Sequence, residues 1–206
     1  MFEKIPKFAW IILILGMFIG LLTHQNMWAQ YWAVWFTSAM MFLSVAIYFF
    51  YPGTYTGAGV LVTNIMWLTN QLIEWLGYGT PTLFAVTFIV NTIVVFIMLF
   101  TLKRNGDEFS GKLYASAGFM TLMIFSFLKI YSLAIHSTNF VPGAVTSGNI
   151  WALGLLLMAS GGLLKIFVTE DNGKFSGTVT LVGLIIALSG ALVFGTALSI
   201  FQPLVF

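Results

Sequence analysis

Cysteine is absent from this 206-residue chain, and charge is scarce. Eight Lys and Arg face six Asp and Glu, 7% of the residues. A water-soluble domain carries roughly 25% charged residues. Fourteen charges cannot solvate the surface of a globule of this length, which excludes a soluble enzyme. A net charge of +2 is too small to imply a nucleic-acid partner. Without a thiol there are no disulfides, thiolate metal centres, iron–sulfur clusters or cysteine nucleophiles. The H-E-x-x-H zinc pattern is also missing, and Gly161-Gly162 lies inside an apolar run where no phosphate loop forms.

What is abundant is apolar surface: 60% of residues are hydrophobic, 21 of them Phe. Seven long apolar stretches stand out, at about 8–23, 31–51, 57–78, 81–102, 113–136, 148–168 and 177–201. A hydrocarbon core about 30 Å thick needs roughly 20 apolar residues per helix. The runs are continuous rather than alternating, which favours helices over a barrel. The chain is therefore predicted to be all-α, a polytopic integral membrane protein. It forms a single domain over 1–206, a bundle of seven transmembrane helices.

Seven of the eight basic residues, Lys4, Lys7, Lys103, Arg104, Lys112, Lys165 and Lys174, fall on one side of that topology. Positive loops stay inside, so the N-terminus is expected inside and the C-terminus outside, in a cytoplasmic (inner) membrane. Lys4 and Lys7 ahead of an apolar run also resemble the start of a secretory signal. Positions 23–28 hold no small-x-small cleavage pattern, so the first run is expected to stay as a span. Trp28, Trp32, Trp35, Trp75, Tyr78 and Trp151 are predicted anchors at the outer interface. Trp10, Tyr51, Tyr55 and Tyr114 take that place at the inner one, whereas Trp67 sits mid-span.

Small residues mark helix seams in lipid. They recur as Gly16-x-x-x-Gly20, as Ser160-Gly161-Gly162, and as the ladder Ala187, Ala191, Gly195, Ser199. The similar turns Tyr51-Pro-Gly and Val141-Pro-Gly open spans three and six. They allow an inverted repeat of spans two to four and five to seven, although Pro-Gly-Thr is also ordinary helix-start chemistry.

Two ionisable residues fall within spans, Glu74 and Lys129. Each costs roughly 3 kcal/mol or more in hydrocarbon if left alone. At 100° per residue, Asn64, Trp67, Gln71, Glu74 and Tyr78 share one face of span three, with Thr63 and Asn70 flanking it. Ser126, Lys129, Ser132 and His136 share one face of span five. Glu74 and Lys129 are expected at similar depth. Two readings follow: a buried ion pair that fixes helix register, and an outward-facing polar pocket for a small solute or ion. The candidate binding residues are Asn64, Trp67, Asn70, Gln71, Glu74 and Lys129.

His24 and His136 are predicted at outer helix ends. They are the candidate haem or metal ligands, although a solvated or capping role suits both better. No cofactor is expected, and no catalytic constellation is evident. Span seven has no lysine for a retinal Schiff base. The expected function is a small membrane carrier or channel-like protein with a polar site in the outer half. The alternative is a non-catalytic subunit of a larger respiratory or oxidase-type membrane complex. Expected partners are the lipid bilayer, a small polar solute or ion, and other membrane subunits or further copies of the chain; no nucleic acid is expected.

Overall fold

The computed structural model describes residues 30–75, 89, 93, 108–135, 142–168 and 173–201. These form five long helices, and no strand occurs among the described residues. They are α1 (Gln30–Phe50), α2 (Thr54–Trp75), α3 (Glu108–Ile135), α4 (Pro142–Phe167) and α5 (Lys174–Phe201). The stretches Phe109–Ile135, Gly143–Phe167 and Lys174–Phe194 are long and apolar enough to cross a membrane; Ser38–Phe50 is a shorter apolar helix. The described residues are thus all-helical, with apolar helices that suit a membrane. The predicted spans 8–23 and 81–102 lie outside the described residues, so the count of seven is not established by this fold.

Helix boundaries follow local chemistry. The spans predicted at 113, 148 and 177 begin earlier, at 108, 142 and 174. Hydropathy marks where a helix enters hydrocarbon, whereas the hydrogen-bonded helix runs on into the polar interface. Pro142 opens α4, where its fixed φ suits a helix and its missing N–H costs nothing. Before α5, Gly173 adopts φ +78°, and its carbonyl accepts the first helical bond from Gly177 N at 3.0 Å. Only glycine takes that backbone without strain.

The α1–α2 turn is held by Thr56, whose Oγ1 donates to the carbonyls of Tyr51 at 2.7 Å and Gly53 at 3.1 Å. Gly57 N reaches Gly53 O at 2.9 Å, so Gly53 occupies the capping position there. The two Pro-Gly turns are therefore built differently: Pro52 precedes its helix, whereas Pro142 is part of one.

The helices close a circuit in which α1 packs on α2, α2 on α3, α3 on α4, α4 on α5, and α5 back on α1. Two seams set the geometry. Along α2–α3, a Cβ on Gly57 would strike the Gly111 carbonyl oxygen, and one on Gly118 would lie 2.6 Å from Leu61 N. Residue numbers rise together along this seam, so α2 and α3 are parallel.

Along α4–α5 the numbers run oppositely. Gly154 faces Ala187, Gly161 faces Ser176 and Thr180, and Gly190 faces Trp151. This antiparallel pair uses the predicted Gly161 and Ala187, together with Gly154, Gly183 and Gly190, which the four-residue ladder did not include. Without a hydrophobic drive between helices in lipid, such backbone proximity supplies the dispersion contact that holds them.

An inverted repeat would pair α1 with α4 as it pairs α3 with α2. The second pair is extensive; the first touches only weakly. The packing does not carry the symmetry suggested by the two turns.

Side chains from all five helices fill the centre. Tyr48 meets Phe119 edge to face with ring centroids 5.9 Å apart, and the Phe119 ring lies against Gly162. On α2, Ala58, Val60, Val62, Thr63, Asn64, Met66 and Trp67 are all buried, whereas Leu61, Ile65 and Leu68 are only partly buried and Leu72 is exposed along the remaining face. Protein therefore covers the part of the helix that carries Asn64. This is the condition under which amides are tolerated at membrane depth.

Candidate functional site

Most hydroxyls in the helices are satisfied within their own backbone. Ser126 donates to Leu122 O at 2.8 Å, Ser147 to Gly143 O at 2.8 Å, Ser160 to Leu156 O at 2.9 Å and Thr121 to Ala117 O at 2.7 Å. Such i−4 bonds let a hydroxyl sit in an apolar surrounding, and they occupy its proton. Ser126 thus drops out of the polar stripe read on span five, which keeps Lys129 and Ser132 among the described residues.

On α2, Asn64 is fully buried. Its Nδ2 donates to Val60 O at 2.9 Å, and its Oδ1 has no hydrogen-bond partner among the described residues. The neighbouring Thr63 Oγ1 is in the same position. Trp67 is buried within the apolar core, as its mid-span placement implied. Asn70, Gln71 and Glu74 continue the same helix, but their side chains lie outside the described ones. His24 and His136 fall outside the described residues altogether.

Lys129 is half-buried in the C-terminal part of α3. Its Nζ lies 5.9 Å from the ring centroid of Trp151 and 6.0 Å from that of Phe194. Those two rings stack with centroids 5.9 Å apart, and Phe125 meets Trp151 edge to face at 6.0 Å. Cation–π attraction operates out to about 6 Å, so both rings hold the ammonium at the limit of that range.

The depth expectation for Glu74 and Lys129 can be followed along the α2–α3 seam. Gly57 meets Gly111 and Ala115, and Gly118 meets Leu61, an offset of 54 to 58 residues. Continued along two parallel helices, that offset sets the backbone of Glu74 level with positions 128–132. No ion pair occurs among the described residues, so the predicted pair stays an expectation.

Trp151 is placed differently from its sequence reading. An anchor at the outer interface would expose its ring, whereas Trp151 is 2% exposed and packed between α3, α4 and α5. Its Nε1 has no hydrogen-bond partner among the described residues; nor does Asn149 Oδ1 nearby on α4. The signal was present in Gly148 and Gly154, three residues to either side of the indole. Small residues flanking an aromatic on one helix face mark a seam rather than a lipid surface.

At the opposite end, Lys112, Lys165 and Lys174 lie in the second turn of α3, the last turn of α4 and the first position of α5. Given the parallel and antiparallel seams, these are the same end of the bundle. Comparison with known protein families, with curated proteins and with solved structures finds no match for this chain, so the functional reading rests on this geometry alone.

Proposed function

We propose that the chain is a small membrane carrier. Its polar site lies in the outer half of the bundle, built from Asn64, Trp67, Asn70, Gln71, Glu74 and Lys129. The observation that carries this reading is the position of Lys129. A cation is presented to the interior aromatic cluster of α3, α4 and α5, at the depth that the seam register assigns to Glu74. A charge at membrane depth is costly unless it serves a pathway or a partner. The clustered lysines at the other end support an inside location for that end, with seven spans, the N-terminus inside and the C-terminus outside. An inner membrane fits this orientation.

Glu74 would tune or couple the charge of Lys129, and the amides would hydrogen-bond the solute. The test is uptake of a panel of small anions, amino acids and sugars into proteoliposomes. One class should be taken up, and Glu74→Gln and Lys129→Gln should each reduce its uptake at least about tenfold at equal folded yield, as expected for loss of a charge-assisted contact. Uptake indifferent to both substitutions overturns the reading.

A second reading, a non-catalytic subunit of a membrane complex, draws on a different observation. The interior at the level of Phe119 is filled by that ring, Tyr48 and Gly162. A static, packed centre suits a scaffold. Native-gel sizing after mild extraction separates the two: a stable species made of this chain alone counts against the subunit, and co-migration with other chains counts for it.

A further inference from the structure

We infer that the lysine-bearing end of the bundle is a collar that binds anionic phospholipid. Its phenylalanines lie among the acyl chains and its lysines meet the headgroup phosphates. This surface is at the opposite end from Lys129 and is independent of the polar site there.

The four most exposed large apolar side chains of the described residues are all phenylalanines, and all lie at this end. They are Phe50 at the end of α1, Phe109 at the start of α3, Phe167 at the end of α4 and Phe175 at the start of α5, from 64% to 78% exposed. Contacts between helices set these ends at one level. Gly111 packs on Gly53 and Thr54, Gly161 faces Ser176 and Thr180, and Lys165 Nζ reaches the Phe49 carbonyl. Phenylalanine has no polar atom to offer a headgroup, unlike the tryptophan and tyrosine of an ordinary interfacial belt. Rings so exposed therefore belong among acyl chains rather than in water. They come from four of the five helices of the circuit, a distribution that fits a lipid annulus better than a single docking patch.

Three of these rings have a lysine within three residues: Phe109 with Lys112, Phe167 with Lys165, and Phe175 with Lys174. Lys112 and Lys174 are exposed, whereas Lys165 is committed to the end of α1. Along the chain the carboxylates come on the far side of these lysines from the apolar runs. Asp107 and Glu108 precede Lys112, and Glu170 and Asp171 fall between Lys165 and Lys174. The lysines are thus the charges next to the hydrocarbon. Their alkyl stems can stay with the rings while the ammonium groups rise to the phosphate layer. A zwitterionic headgroup offsets its phosphate with its own cation, and an anionic headgroup does not, so the lysines favour the anionic lipid.

The test reconstitutes the full chain in nanodiscs of phosphatidylcholine and phosphatidylglycerol in equal amounts. Native mass spectrometry after mild extraction counts the lipids that stay bound. Phosphatidylglycerol should be retained at least about fivefold over phosphatidylcholine by the native chain. Replacing both exposed lysines, Lys112→Gln with Lys174→Gln, should remove most of that preference. Both positions are on the surface, so this variant should fold as the native chain does. Equal retention of the two lipids by the native chain, or a preference unchanged in the double variant, overturns the inference.

Labelling separates lipid from a soluble protein as the occupant. Single cysteines replacing Phe109 or Phe175, in the same nanodiscs, should react with a water-soluble maleimide at least about tenfold more slowly than a thiol in an unstructured peptide. Acyl chains exclude the reagent and disfavour the thiolate. Rapid reaction at both positions would put these rings in water, as on a docking surface for a soluble protein, and overturns the lipid collar.

Discussion

Lys165 Nζ donates to the carbonyl oxygen of Phe49 at 2.6 Å and lies 4.3 Å from the centroid of the Phe49 ring. One residue of α4 thus closes the C-terminus of α1, where helix carbonyls lack partners and the helix dipole is negative. Lys165, counted from the sequence among the basic residues of one side, ties together two helices that otherwise barely touch.

Lys165→Met should therefore destabilise the bundle by about 1–2 kcal/mol, from a charge-assisted bond to a carbonyl plus a cation–π contact. Lys165→Arg should recover part of that. Reversible unfolding in mixed micelles reads the difference, and a methionine variant as stable as the native chain would refute the cap.

Two glycines of the α4–α5 pair should respond in opposite directions to alanine. A Cβ on Gly154 would strike the Ala187 backbone nitrogen and lie 2.6 Å from Ala187 Cα, and no rotamer change relieves a clash with main chain. Overpacking of this kind costs about 1–3 kcal/mol, more than the ~1 kcal/mol that alanine gains in helix propensity. Nothing lies within 4 Å of the corresponding position at Gly177, so only the propensity gain operates there. Thermal unfolding should rank Gly177→Ala above the native chain and Gly154→Ala below it.

At the centre, Phe119 has no exposed surface and touches helices on both sides of α3. Phe119→Ala should cost about 3–5 kcal/mol through the cavity it leaves. Phe127, two turns further along α3 and about 80° round it, is well exposed. Phe127→Ala should cost well under 1 kcal/mol, since that ring exchanges one apolar contact for another in lipid. Similar losses at the two sites would contradict the assigned faces.

The absence of native cysteine allows those faces to be mapped directly. Single cysteines replacing Ile124, Leu181 or Leu192, which are exposed, should react with a membrane-soluble maleimide. Cysteines replacing Leu122 or Leu155, both fully buried, should be protected. Uniform labelling would show that the circuit of helices is open or differently turned.

How much of this was legible beforehand differs by residue. Hydropathy located the five described helices to within a few residues, because each must bury about a bilayer's thickness of apolar side chain. Lys129 and Asn64 stood out because polar groups are rare at such depth. Trp151 was misplaced at the interface, because a tryptophan near a helix end looks the same whether it faces headgroups or a neighbouring glycine. Ser126 was read as part of the polar face around Lys129, because sequence does not show whether a hydroxyl bonds outward or to its own carbonyl four residues back.

Composition and the continuity of its apolar runs pointed this chain to apolar helices, since only helices and closed barrels satisfy the backbone in hydrocarbon and a barrel needs alternation. Which helices became neighbours was a matter of three-dimensional fit. Parallel α2–α3 and antiparallel α4–α5 exist because glycines separated along the chain happen to align where two backbones approach. That alignment buried Asn64 of α2, turned Trp151 inward and brought Lys129 against two aromatic rings. Periodicity on one helix cannot specify this, because the contact belongs to the pair.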